Sequence, residues 1–296
     1  MVKPHKIINR TFDKYILDLV AIKDPIIHQR RYSNKYCLEM FKYMLKNVNS
    51  WKDLTLLRDY NCRWGNYHYK YLNQVFNKWT DLNIFNEAFA NMLKSEYFHL
   101  KHLKKNGNLN LFVDASFVIN LYGVNEIAKN PEYRKKRVTK ISVISDDNKT
   151  IIGACFGEIH LDANQKPAFR HDVKMVQKTL NNIGFNIPHS VTTKIGGDKG
   201  CVTLNKVQGV TKKRFLLNNG KRSPIITRKK KNQIKKNTST QKKYLKKRYT
   251  VENAIASIKK YSRIMVRRDK LLKNYSSFLY LGLMVLFYAR YFKNNK

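Results

Sequence analysis

Apolar positions in the first hundred residues recur at helical spacing. Leu38, Phe41, Met44 and Leu45 keep a period of about 3.6 residues, and so do Tyr69, Leu72, Val75, Phe76 and Trp79. A third run joins Phe85, Phe89, Met92 and Leu93, with residues 80–83 as the turn before it. The pattern predicts a small helical bundle. From Leu109 the period shortens: LFVDASFVINL crowds apolar and β-branched residues behind the turn-forming KKNGN, which predicts a strand. VTKISVISD and TIIGACFGEIH, joined by DDNK, predict a hairpin with an acidic tip. Val173, Val176 and Leu180 then mark a helix opened by His171 and Asp172, with Asp172 as its N-cap. VTTKI reads as a fourth strand running into GGDKG, and RFLLN as a fifth. The long stretch KRSPIITRKKKNQIKKNTSTQKKYLKKR reads as a solvated, partly disordered basic loop. Val251, Ile255 and Ile258 make RYTVENAIASIKK a helix with a buried stripe. The apolar run from Phe278 to Ala289 has the length of a core helix and is too short to span a bilayer.

Composition adds a partner to this outline. At 296 residues and 43% hydrophobic content the chain is expected to fold around a sizeable core. Its 59 Lys and Arg against 20 Asp and Glu leave a formal charge of +39, which repels itself in a compact state unless a polyanion or counterions neutralise it. Nucleic acid is the natural candidate. No basic amphipathic helix with aromatic anchors supports a membrane-surface reading, and the N-terminal MVKPHKIINRTFDKY lacks the apolar core of a signal peptide. Cys37, Cys62, Cys155 and Cys201 form no close pair, so neither a zinc motif nor a disulfide framework is suggested. These features fit an intracellular, DNA-associated protein, in the cytoplasm and nucleoid or in a nucleus.

Three acids stand out against the basic background. Asp114 lies in the middle of an apolar strand, where an unpaired carboxylate costs several kcal/mol, so it needs a metal, a cation or an exposed rim position. Asp198 leaves the fourth strand in a glycine-rich turn that lets a ligand approach closely. Glu252 sits at the edge of the buried helical stripe, with Arg248 four residues before it and Lys259 seven after. Each acid also has a plain explanation: a capping or salt-bridged Asp, an ordinary Gly-Asp turn, and an i,i+4 ion pair on a solvated helix. In the basic stretch Lys229, Lys230, Lys231, Lys246 and Lys247 are candidate phosphate contacts, with a purely solvating role as the competing account. The order is strand with Asp114, hairpin, helix, strand with Asp198, strand, basic insertion, helix with Glu252. That order predicts an α/β fold of ribonuclease H-like type, a mixed sheet flanked by helices, over residues 106–296. A helical N-terminal domain over 1–105 precedes it, and the insertion spans about 220–247.

RYTVENAIASIK also resembles a known family, the DDE transposases of bacterial insertion sequences, in particular the insertion-sequence four and five groups. Their third acid lies in a pattern of Tyr, two residues, Arg, three residues, Glu, six residues, Lys. Arg248, Glu252 and Lys259 match it, and Tyr244 misses its place by one position. VDASF resembles the first-acid motif through Asp114 and Ser116. GDKGC resembles the second through Asp198, with Cys201 where an aromatic is usual. RHDV and RRDK resemble further family features, and the Trp51 to Trp79 region is similar to the short helical domain that precedes many of these catalytic domains. The resemblance implies that Asp114, Asp198 and Glu252 hold two Mg²⁺ ions, for which Mn²⁺ can substitute. It implies cleavage at the ends of a mobile element and strand transfer by in-line phosphoryl transfer. It also implies that Arg248, Lys259 and Tyr244 contact DNA. The partners it implies are double-stranded DNA, as terminal inverted repeats and target, and further copies of the chain in a synaptic complex. Two alternatives stay open: a transposase-derived DNA-binding protein without catalysis, and a related metal-dependent DNA nuclease.

Overall fold

The computed structural model describes residues 4–25, 32–47, 50–54, 69–97, 107–130, 136–169, 172–198, 214–217, 220–227 and 237–294. Four helices come first: α1 (Pro4–Lys23), α2 (Asn34–Asn47), α3 (Tyr69–Asp81) and α4 (Ile84–Glu96). The periodic residues face inward as expected, since Leu38, Phe41, Met44, Leu45, Leu72, Phe76, Trp79, Phe89 and Leu93 are all buried. The turn between α3 and α4 places Asn83 at φ 56°, a left-handed conformation that Asn tolerates better than most residues.

The central strand is β1 (Asn108–Asn120), followed by β2 (Ala128–Asn130), β3 (Lys136–Asp146), β4 (Ile151–Phe156), β5 (Ile159–Leu161) and β6 (Pro167–Phe169). Then come α5 (Asp172–Asn181), β7 (Thr192–Gly197), β8 (Arg214–Leu216) and β9 (Arg222–Thr227). The chain ends with α6 (Ser239–Lys246), α7 (Tyr249–Ile258), α8 (Ser262–Met265), β10 (Val266–Arg267) and α9 (Leu272–Asn294). The main sheet runs β2-β3-β1-β7-β9-β8, with β4 also paired to β3 and β10 to β1. β3 and β4 form the antiparallel hairpin read from the sequence, β1, β7 and β9 run parallel, and β8 returns antiparallel to β9. The protein is thus mixed α/β, with a mixed sheet flanked by helices.

Several expectations change in detail. TIIGACFGEIH is two strands, β4 and β5, interrupted at Gly157 and Glu158. The basic stretch is not one loop. Its RSPIIT portion forms β9 beside β7, and its STQKKYLK portion forms α6. The helix start is set by a capping box, in which the Thr238 side chain accepts from the Gln241 N–H while Gln241 reaches back to the Thr238 N–H. Asp172 is the first residue of α5, and its carboxylate pairs with the ammonium of Lys140. His171 lies outside the described residues.

The chain divides into two compact units, and both are discontinuous. One comprises Met1–Met92, Ile119–Asn125 and Ile258–Lys296, the other Leu93–Val118 and Glu126–Ser257. The first therefore adds the C-terminal helix to the N-terminal ones instead of ending near residue 105. Phe278 of α9 stacks on Phe76 of α3 with ring centroids 4.4 Å apart, and α9 also packs against α1. The second unit holds most of the sheet, with α5 packed on β3 and β4 through the buried Val176, Thr179 and Leu180. Among the described residues no helix is long and apolar enough to cross a membrane.

Candidate functional site

β1 is buried at Leu111, Phe112 and Val113, then becomes half-buried from Asp114 to Phe117. The first acid thus sits where the strand leaves the core. Strand β7 pairs with β1 in parallel, Leu111 facing Ile195 and Phe112 facing Gly196. Two residues further along the same register, Asp198 comes alongside Asp114, immediately beyond the end of β7. Parallel neighbours in register present their side chains to the same face of a sheet, so the two strands deliver two carboxylates to one place. Asp198 is exposed there.

The third acid arrives from α7. Val251, Ala254, Ile255 and Ile258 are buried and turn the opposite side of the helix outward, leaving Glu252 half-exposed. Arg248, in the turn just before α7, joins the acids. Its Nη1 donates to Asp114 Oδ2 at 3.2 Å, and its Nη2 donates to Glu252 Oε1. One guanidinium thereby bridges a strand-borne and a helix-borne carboxylate. Burial pushes the Asp114 carboxyl above its ordinary range, Arg248 and the Ala115 N–H oppose that push, and the negative charges of Glu252 and Asp198 add to it. All three acids are therefore electrostatically coupled.

The layer beneath the site is built from aromatic and glycine packing. Tyr244 of α6 stacks on Phe112 with centroids 4.9 Å apart, and its hydroxyl donates to the Leu111 carbonyl at 2.9 Å. A methyl group at Gly196 would lie 2.7 Å from the Phe112 ring and 3.0 Å from that of Tyr244, so glycine is required for this layer to close. The family resemblance implies a DNA contact for Tyr244. It is instead buried, its hydroxyl is taken up by backbone, and it fixes α6 over β1. Lys247 is half-exposed and pairs with Asp147 of the β3–β4 turn at 3.2 Å, while Asp147 also accepts from Asn110 of β1 at 3.0 Å. Lys246 is exposed. Lys259 follows α7 directly and is partly buried, which pulls its ammonium below the ordinary range. Lys229, Lys230 and Lys231 lie outside the described residues.

Sequence reasoning missed the Phe112–Tyr244 stack, the demand on Gly196 and the Asp147–Lys247 tie. The first two had a faint signal in the Gly-Gly pair that ends an apolar strand. The third joins residues a hundred positions apart and had none.

Among the described residues no three or more His, Cys, Asp and Glu side chains are arranged to hold a metal ion. Arg248 takes up the facing oxygens of Asp114 and Glu252. The donor chemistry nevertheless suits a hard divalent cation, because Asp114 and Glu252 share one guanidinium and the negative charges of Glu252 and Asp198 both bear on the half-buried Asp114. No family model matches the chain, and no match is found among curated proteins or solved structures.

Proposed function

We propose that this protein is a DNA transposase of the DDE type, a metal-dependent phosphoryl-transfer enzyme. One observation carries the reading: strand register sets Asp198 beside Asp114, and Arg248 ties Glu252 to Asp114. Three acids separated widely in sequence share one charged site. The sheet order supports it too, since β4-β3-β1-β7-β9, antiparallel on one side of β1 and parallel on the other, is compatible with a ribonuclease H-like sheet.

In this reading Asp114, Asp198 and Glu252 would hold Mg²⁺, which would supply activation of the attacking oxygen and stabilisation of the departing one. The protein's own contribution is placement. β1 and β7 fix two carboxylates through backbone pairing, and α7 brings the third on a helix whose buried stripe sets its rotation. Arg248 neutralises the acids and offers a planar fork suited to phosphate oxygens. The exposed Lys246 supplies a cation for the DNA backbone, and Lys247 can do so by exchanging its pair with Asp147 for phosphate.

The test is Mg²⁺-dependent nicking of a labelled duplex carrying the ends of the element that encodes the protein, with the natural chain compared to Glu252→Gln at matched DNA occupancy. Loss of nicking by about 10²-fold or more with binding retained is the expected result, the scale of removing a group that stabilises transition-state charge. Binding without nicking in Mg²⁺ or Mn²⁺ would favour a DNA-binding protein without catalysis. Nicking without joined products would favour a nuclease.

A further inference from the structure

The turn after β1 exposes apolar side chains on a rigid base. Within residues 119–125, Leu121 is 43%, Tyr122 60% and Val124 66% exposed. Exposed apolar side chains on a loose loop would be unremarkable, but this turn is bound tightly. Leu121 N–H donates to the Arg267 carbonyl and Val124 N–H to the Lys270 carbonyl, both at 3.0 Å, and Gly123 N–H donates to Asn120 Oδ1 at 2.6 Å. The guanidinium of Arg267 is fully buried beneath it. It donates to the Asn125 carbonyl and Asn125 Oδ1, at 2.8 and 2.6 Å, and to the carbonyls of Asp269 and Lys270. A methyl group at Gly123 would lie 2.6 Å from Arg267 Nε, so the backbone can press onto the guanidinium only because that residue is glycine.

A buried arginine that spends its donors on backbone and amide carbonyls holds a turn in one shape. What that shape presents to solvent is a tyrosine ring between two aliphatic side chains. The adjoining segment supplies charge of one sign. In 119–125 and 262–275 the sole acid is Asp269, which is buried against Arg263, whereas Lys270 is exposed and Lys273, also exposed, pairs with Asp81 of α3. A second copy of this chain would bring like charge against like. A partner that is anionic outside and flat and apolar inside answers both features.

We propose that the 121–124 turn is a nucleobase platform, on which the Tyr122 ring, flanked by Leu121 and Val124, stacks an unpaired base while Lys270 meets the strand's phosphate. Aromatic rings take any base, because every base has a π face, and a ring carried on a fixed backbone loses less freedom on binding than one on a loose loop. The inference rests on nucleic acid being the partner, as in the proposed function, but not on catalysis.

The experiment uses the full chain and two oligonucleotide probes of one sequence, a duplex with a short single-stranded gap and the fully paired duplex, each carrying one 2-aminopurine. Tyr122→Ala is expected to weaken binding to the gapped probe roughly tenfold, the size of one base–aromatic stack, and to abolish quenching of the 2-aminopurine. The slope of log affinity against log salt stays unchanged, because no phosphate contact is lost. Tyr122→Phe retains both affinity and quenching. An unchanged Tyr122→Ala affinity for the gapped probe overturns the proposal, as does a loss that alters the salt slope or one that Tyr122→Phe shares. A concentration-dependent dimer abolished by Tyr122→Ala, with DNA binding intact, would instead make a second copy the occupant. If the natural protein binds neither probe, the proposed function falls as well. If it binds and nicks while Tyr122→Ala behaves identically, this inference alone fails.

Discussion

Asp114 sits under opposing influences, and their balance decides how the site titrates. Its carboxyl is raised above the ordinary value of 3.8, chiefly by burial and further by Glu252 and Asp198, despite the guanidinium of Arg248. A raised acid is harder to ionise in the folded chain than in the unfolded one, so its charged form costs stability above that raised value. The cost fades as pH falls through the raised value toward 3.8 and the proton returns. Asp114→Asn is therefore expected to match or exceed the natural protein in thermal stability at pH 7, by about 1–3 °C, while losing nicking activity. Scanning calorimetry from pH 7 down to about 4 should show the difference closing. A variant that is several degrees less stable at pH 7 would mean that the Asp114–Arg248 pair stabilises the fold more than burial of the charge opposes it.

Among the elements, β7 has little tolerance for change at Gly196. It must carry Asp198 to the level of Asp114 while lying under the Phe112–Tyr244 stack, and Gly196 leaves the only room for that stack. Gly196→Ala is expected to cost about 1–3 kcal/mol, as overpacking of a tight core does, and to reduce nicking beyond what the lost stability explains, because Asp198 follows two residues later. A denaturant titration alongside the nicking assay would separate the two effects. If activity falls only in proportion to the unfolded fraction, β7 does not position the acid. The strands and helices that bury most of their apolar residues were legible in the sequence: the hairpin, the strand of Asp114 and the stripe of α7 all follow from period alone. β9 was not, because PIIT is a short apolar run embedded in cations and its neighbour is set by pairing with β7. Helix α6 left its signal in the Thr238 and Gln241 spacing, obscured by the lysines around it. Tyr244 shows the limit most clearly, since its place in a motif-like spacing pointed outward while its packing partner lies 132 positions earlier, at Phe112.

For the whole molecule the dominant fact is charge. A formal +39 spread over 296 residues sets a long-range attraction to polyanions whatever the chemistry of the site. Duplex affinity is expected to fall steeply with salt, with a log–log slope of about −0.9 for each phosphate neutralised. Fluorescence anisotropy across about 50–200 mM salt measures it directly, and a flat response would remove DNA backbone as the principal partner.

The interleaving of the two units reaches further than the arrangement of domains. The chain leaves the first unit after Met92, touches it again for seven residues at Ile119–Asn125, and returns for good only at Ile258. A growing polypeptide therefore emerges with its opening helices lacking α9, which supplies Phe278 to their core. They must wait through the synthesis of the whole sheet before their partner exists. A chain that stops before α9 carries Asp114, Asp198 and Glu252 but lacks the helix that brings Phe278 onto Phe76.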